Sequence, residues 1–208
     1  MTMTGQQPAA AEPTASDAAR RAMIDSQLRT CGVNEPWVLA AMSRVPREDF
    51  VPEQARAAAY TDRTVALGQG RFLAAPLVHG KMLTEAAPQA SDNALLVGDG
   101  QGYLAALLRP LVGSLDCVGP DAASKGPGPV VGKGSYTLII IDGAIEQLPD
   151  WVAARLADNG RLVTGLVTRG VTRLVAGRKA GGTVALVPLA DLGIPVLAQF
   201  AAPKRWSF

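Results

Sequence analysis

The sequence predicts an α/β fold: a mostly parallel sheet with an antiparallel C-terminal edge, preceded by a helical N-terminal extension. Three observations carry this. Ala94-Leu95-Leu96-Val97 is a short apolar strand that runs through Gly98-Asp99-Gly100-Gln101-Gly102 into a helical stretch from Tyr103 to Leu108. Thr137-Leu138-Ile139-Ile140-Ile141-Asp142 is apolar on both faces, as a central parallel strand has to be. Two further strands, about Arg173 to Gly177 and Thr183 to Val187, are joined by Lys179-Ala180-Gly181-Gly182, which signals a hairpin.

In order along the chain, residues 1–16 are rich in Ala, Gln, Pro, Thr and Gly and offer little to bury, so they read as a disordered tail. Asp17 caps a helix in which Ile24, Leu28 and Cys31 recur at helical spacing up to Gly32. Asn34, followed by Glu35 and Pro36, starts a second helix presenting Val38, Ala41, Met42 and Val45 on one face. Prolines 46 and 52 bracket a connector that is neither long helix nor central strand. Leu67 to Pro76 reads as a glycine-bounded loop, and a helix follows around Val78, Met82, Leu83 and Ala86. After the glycine loop, Leu115 to Val118 is a second short strand. The stretch from Gly119 to Gly134 holds too many glycines and prolines for a helix and a strand, and reads as a loop. A helix from Pro149, a strand from Arg161 to Val167, the hairpin and a last strand near Val196 to Ala201 complete the sheet, with Trp206 and Phe208 stapling the C-terminus. The organisation expected is the tail (1–16), an N-terminal helical part packed on the core (17–90) and the sheet-bearing core (91–208), with 17–208 forming one compact domain.

Composition excludes several classes. A chain of 208 residues, 48% hydrophobic, suffices for one substantial core. Its net charge of +2 is scattered singly, so no basic stripe argues for nucleic acid. Cys31 and Cys117 lie far apart and there is one His, which argues against a metal site. No apolar run approaches about 18 residues and no signal peptide is evident, so a reduced, cytoplasmic location is expected, with no membrane partner.

Ligands of such sheets sit outside the carboxyl ends of the strands, which is where the Gly98, Gly100 and Gly102 loop lies. Glycine there admits close backbone approach and φ > 0, and the helix start offers free N–H groups. Asp99 is either a ligand contact or a cap for the following helix, and Asp142 either faces the pocket or caps its own loop. His79 is the one side chain near this end with a near-neutral ordinary pKa, and is either catalytic or structural. Cys117, within an apolar strand, reads as a buried, inert thiol.

The ordered series Gln27-Leu28, Val45-Pro46-Arg47-Glu48-x-Phe50-Val51-Pro52, Ala59-Tyr60-x-Asp62, Gly68-x-Gly70, Pro76 and Val97-Gly98-x-Gly100-x-Gly102-Tyr103 closely resembles the protein-L-isoaspartate O-methyltransferase family. Tyr136-x-x-Ile139-Ile140, the helix at Pro149 and Asn159-Gly160-Arg161-Leu162-Val163 continue the likeness. The resemblance implies a class I methyltransferase, Rossmann-like fold, S-adenosylmethionine as methyl donor and an isoaspartyl carboxylate on a peptide or protein as acceptor. It implies that the loop from Gly98 through Asp99, Gly100 and Gln101 to Gly102 binds the cofactor; Asp142, placed at the ligand end of its strand, is the further candidate for cofactor binding.

The chain also departs from the family pattern. Ala74 stands where the family carries the acceptor-site serine, Gly119 where it carries the ribose-binding acid, with Asp116 and Asp121 as substitutes, and Leu96 where it carries the acid before the loop. The 119–134 segment is less than half the family's length, so the third strand and its helix read as deleted. Each lost hydrogen bond to a charged group is worth about 1.5 to 3 kcal/mol, so two losses weaken binding by roughly 10² to 10⁴. The expectation is methyl transfer that is weak or lost, with no firm catalytic residue. The alternative is an inactive pseudoenzyme acting as a binding or regulatory module. A nicotinamide-dependent oxidoreductase is disfavoured, because the acid such a fold needs about 20 residues past the loop is Gly119.

Overall fold

The computed structural model describes residues 14–128 and 134–202. The first thirteen positions of the expected tail, part of the 119–134 loop, and Trp206 and Phe208 lie outside the described residues.

Helix α1 (Ala15–Met23) starts two residues before the expected cap. Thr14 closes a capping box instead: its hydroxyl accepts from the Asp17 N–H, and the Asp17 carboxylate accepts from the Thr14 N–H. The helix runs on as a π turn over Ile24–Leu28, and Gly32, at φ +77°, ends it. Glu35, not Asn34, caps α2 (Pro36–Arg44), which buries Val38, Leu39, Ala41 and Met42. The proline-bracketed connector tightens into a 3₁₀ turn over Arg47–Phe50. Between it and α3 (Pro76–Ala86), the expected loop is a hairpin, β1 (Val65–Gly68) with β2 (Arg71–Leu73). Gln69 and Gly70 turn it with positive φ at both positions, and strands this short leave no alternation to read.

The main sheet comprises β3 (Asn93–Val97), β4 (Ser114–Val118), β5 (Tyr136–Ile145), β6 (Leu156–Thr168), β7 (Val171–Ala180) and β8 (Thr183–Asp191) in the order β4-β3-β5-β6-β7-β8. The first four are parallel, and β7 and β8 form the antiparallel edge through a Gly181-Gly182 turn with positive φ at both residues. Helix α4 (Tyr103–Leu108) follows β3, the one-turn α5 (Pro120–Ala123) follows β4, and α6 (Asp150–Arg155) precedes β6. Among the described residues no strand lies outside β4, so the sheet begins where a deleted third strand would leave it.

Strand β5 is covered on both faces, as its composition requires. Leu138 and Ile140 pack with Ala94, Leu96 and the α1 to α4 side, while Ile139 and Ile141 pack with Leu95, Val97, Val152 and Phe200. The strand expected near Val196 to Ala201 is not formed. Val196 makes one bridge to Ala144, where β5 outruns β3, and the chain then enters a 3₁₀ turn over Ala198–Phe200. Among the described residues no helix is long and apolar enough to cross a membrane.

Candidate functional site

The loop from Gly98 to Gly102 leaves the carboxyl end of β3 with its first N–H bonded to the Val118 carbonyl at 2.9 Å. None of its three glycines has positive φ, so conformational freedom is not what selects them. Space is. A Cβ on Gly98 would lie 3.0 Å from the Asp142 Cβ, one on Gly100 3.0 Å from the Cys117 Cβ, and one on Gly102 3.1 Å from the Asp99 Cβ. The loop is thus pressed against the ends of β4 and β5. Cys117 is half-buried and not fully buried as expected, and this burial pushes its thiol above the ordinary pKa.

Asp99 acts inside the loop: one oxygen accepts from the Gln101 N–H at 2.9 Å and the other from Arg71 of the β1–β2 hairpin at 3.3 Å. Both side chains of that ion pair are about half exposed, so it contributes little to stability. A cleft of about 260 Å³ opens between hairpin and loop, bringing Asp99, Gln101, Gly102, Tyr103 and Asp142 together with Arg71 and Phe72.

Behind the cleft lies an arrangement that sequence reasoning missed. Arg47 is fully buried, and among the described residues no carboxylate is within ion-pair distance of it. Its Nε donates to the Ala59 carbonyl at 2.7 Å, one Nη to the Ala74 carbonyl at 2.7 Å and the other to His79 Nδ1 at 3.3 Å. Its guanidinium carbon stands 4.7 Å from the Tyr103 ring centroid. Burial pushes its pKa below the ordinary arginine value, yet the group stays charged. Nothing local in Arg47-Glu48-Asp49, three charged residues in a row between two prolines, marks which of them is buried.

His79 is also fully buried, so it does not flank the cleft as a free acid or base. Guanidinium groups only donate, so Nδ1 is the acceptor. The proton of the neutral ring therefore sits on Nε2, which donates to Asp142 Oδ1 at 3.1 Å. Asp142, at the carboxyl end of β5, reaches the cleft as the end of this chain. The Tyr103 hydroxyl is buried, and burial raises its pKa, against the opposing influence of the neighbouring Arg47 guanidinium.

The positions that depart from the family pattern are equally specific. Ala74 is buried and its carbonyl is taken by Arg47, so it presents no polar group to the cleft. Asp116 accepts from the Tyr136 hydroxyl at 2.5 Å and Asp121 from Gln199 at 2.8 Å, so both candidate substitutes for the acid at Gly119 are engaged. A Cβ at Gly119 would meet nothing within 4 Å. Leu96 sits in the core with no exposure.

A mostly parallel sheet with a glycine loop after its first strand in sequence and an antiparallel C-terminal edge is the architecture of class I methyltransferases. Residues 18–121 match the family model described as protein-L-isoaspartate(D-aspartate) O-methyltransferase, a match that ends within α5. The chain is 31% identical to the protein-L-isoaspartate O-methyltransferase of Methanoculleus marisnigri, over 87% of this chain and 92% of that one. It is 32% identical to that of Roseiflexus castenholzii, over 88% and 93%. Among solved structures it resembles a putative Plasmodium falciparum protein-L-isoaspartate O-methyltransferase in complex with S-adenosyl-L-homocysteine, with a TM-score of 0.67, 19% identity, and coverage of 88% of this chain and 98% of that one. The chain belongs to the protein-L-isoaspartate O-methyltransferase family.

Proposed function

We propose that this chain binds S-adenosylmethionine in the cleft beside the glycine loop and methylates isoaspartyl carboxylates of peptides or proteins at a low rate. The carrying observation is the convergence of Asp99, Gln101, Gly102 and Asp142 on one cleft at the carboxyl ends of β3 and β5. The residues fit an adenosyl group in part. Gly98 and Gly100 let the loop pack tightly against Asp142 and Cys117, Gly102 lines the cleft without a side chain, and Asp142 offers a carboxylate, whereas the position at Gly119 offers none. When bound, the donor supplies an electrophilic methyl on a sulfonium; the acceptor oxygen forms the new C–O bond as the C–S bond breaks and sulfur keeps the electron pair. Such a displacement needs alignment and exclusion of water more than a base. The chain's contribution is therefore placement: the loop and Asp142 orient the donor, and Arg71 and Phe72 of the hairpin cover the cleft.

The state of Ala74 and Gly119 favours a second reading, in which the same fold is a catalytically inactive binding or regulatory module. The free thiols of Cys31 and Cys117 accord with a cytoplasmic location under either reading. Calorimetry with S-adenosylmethionine and S-adenosylhomocysteine, run beside methyl transfer to an isoaspartyl peptide, separates the two. Micromolar binding with turnover supports the enzyme, and binding without turnover supports the module. No binding at millimolar ligand removes the methyltransferase reading.

A further inference from the structure

The carboxylates bordering the cleft are not equivalent. Asp99 has one oxygen on a backbone N–H and the other on Arg71, and Asp49 is exposed at the rim. Asp142 is different: Oδ1 accepts from His79, and among the described residues Oδ2 has no protein donor. Its Cβ packs against the backbone of Gly98, at the start of the loop. Behind it stands a buried guanidinium whose charge, among the described residues, no carboxylate meets directly and which is joined to Asp142 through the imidazole.

We propose that Arg47 and His79 are positioning residues that fix Asp142, so that its free oxygen binds the ammonium group of an adenosyl amino acid in the cleft. The inference rests on the proposed binding of the methyl donor and names the group that Asp142 takes. Arg47 forces the lone pair of His79 onto Nδ1, and this directs the Nε2–H at one oxygen of Asp142. The remaining oxygen accepts from a donor in the cleft, and a cationic donor gains most from an anionic partner shielded from water on its inner side. An anionic group at the same place would be repelled. Ribose hydroxyls are the other source of donors, and they differ from the ammonium in carrying no charge.

Two ligands separate these sources: S-adenosylhomocysteine carries both the ammonium and the ribose, whereas 5′-methylthioadenosine lacks the amino-acid end. Calorimetry is run on the full chain and on Asp142→Asn, His79→Gln and His79→Leu, with thermal melts to verify folding. Asp142→Asn is expected to weaken S-adenosylhomocysteine by about 10- to 100-fold and to leave 5′-methylthioadenosine within about 2-fold. His79→Gln is expected to keep wild-type affinity, because one amide can both accept from Arg47 and donate to Asp142. His79→Leu is expected to repeat the selective loss. Equal losses on both ligands, an unchanged affinity in Asp142→Asn, or equal behaviour of the Gln and Leu variants overturns the proposal. A wild type that binds only S-adenosylhomocysteine places its affinity in the amino-acid end, which Asp142→Asn then has to lower. If the wild type binds neither ligand, the cofactor reading itself fails, whereas an unchanged Asp142→Asn overturns the positioning role alone.

Discussion

His79 and Asp142, 63 positions apart, meet at 3.1 Å where the core gives way to the cleft. One is fully buried on α3 and the other ends in the cleft at the close of β5, so the contact couples the packing of the N-terminal helices to the site. Its stability depends on what lies behind it.

Arg47→Ala is expected to lower the unfolding free energy by about 3 to 5 kcal/mol. The substitution leaves the Ala59 and Ala74 carbonyls and His79 Nδ1 without their donor, in a place water does not reach. Urea denaturation with an unchanged m-value measures this. A loss below about 1 kcal/mol would mean that the guanidinium is not the organising group of this region.

Gly98→Ala and Gly119→Ala should behave oppositely. The first brings a methyl to 3.0 Å from Asp142 and must displace it, with an expected loss of about 1 to 3 kcal/mol and weaker adenosyl binding. The second meets open space and should change stability by no more than about 0.5 kcal/mol. Thermal unfolding of both variants, paired with ligand-induced shifts in melting temperature, tests the contrast.

Gly119→Glu combined with Ala74→Ser restores an acid beyond β4 and a hydroxyl beside Arg47. The open space at Gly119 accommodates the acid, and adenosyl affinity is expected to rise by about tenfold, one charged hydrogen bond's worth. If neither binding nor isoaspartyl methylation improves, the two substituted positions are not what limits the site.

Acid should loosen the anchoring of the N-terminal helix. Glu48 accepts from the Tyr60 hydroxyl and from Arg20, which itself donates to Tyr60 at 2.8 Å. Burial raises the Glu48 pKa, but the bonds from Tyr60, its own backbone and Ser16, together with the charge of Arg20, outweigh burial and leave it lowered. A carboxylate depressed in the folded state adds stability above its unfolded value of 4.5 and loses it as pH falls through the folded value. Stability should therefore drop as the pH falls below about 4.5, and Glu48→Gln should flatten that drop. A variant with the wild-type slope would place the acid sensitivity elsewhere.

Much of this molecule was legible because its signals are local. Thr137 to Asp142 carries enough apolar side chain to be covered on both faces wherever it lies. Pro36, Pro76 and the Gly181-Gly182 pair set backbone conformations by themselves, and the Val-Pro-Arg-Glu-x-Phe-Val-Pro string and the glycine loop announced the family. Local signals misplaced what depends on competition between neighbours. Thr14 took the cap that Asp17 was expected to supply, and the segment after Pro195 found only one bridging position on β5 instead of a strand.

By itself, then, the sequence determined the parallel sheet with its antiparallel edge and the family. Only the tertiary structure decided that the loop glycines are set by the crowding of Asp142, Cys117 and Asp99 and not by positive φ, and that Arg47, His79 and Asp142 form one chain of hydrogen bonds. The reason is physical: propensity and periodicity act over a few residues, whereas a buried charge is satisfied by whichever polar groups folding brings within about 3 Å, at any separation along the chain.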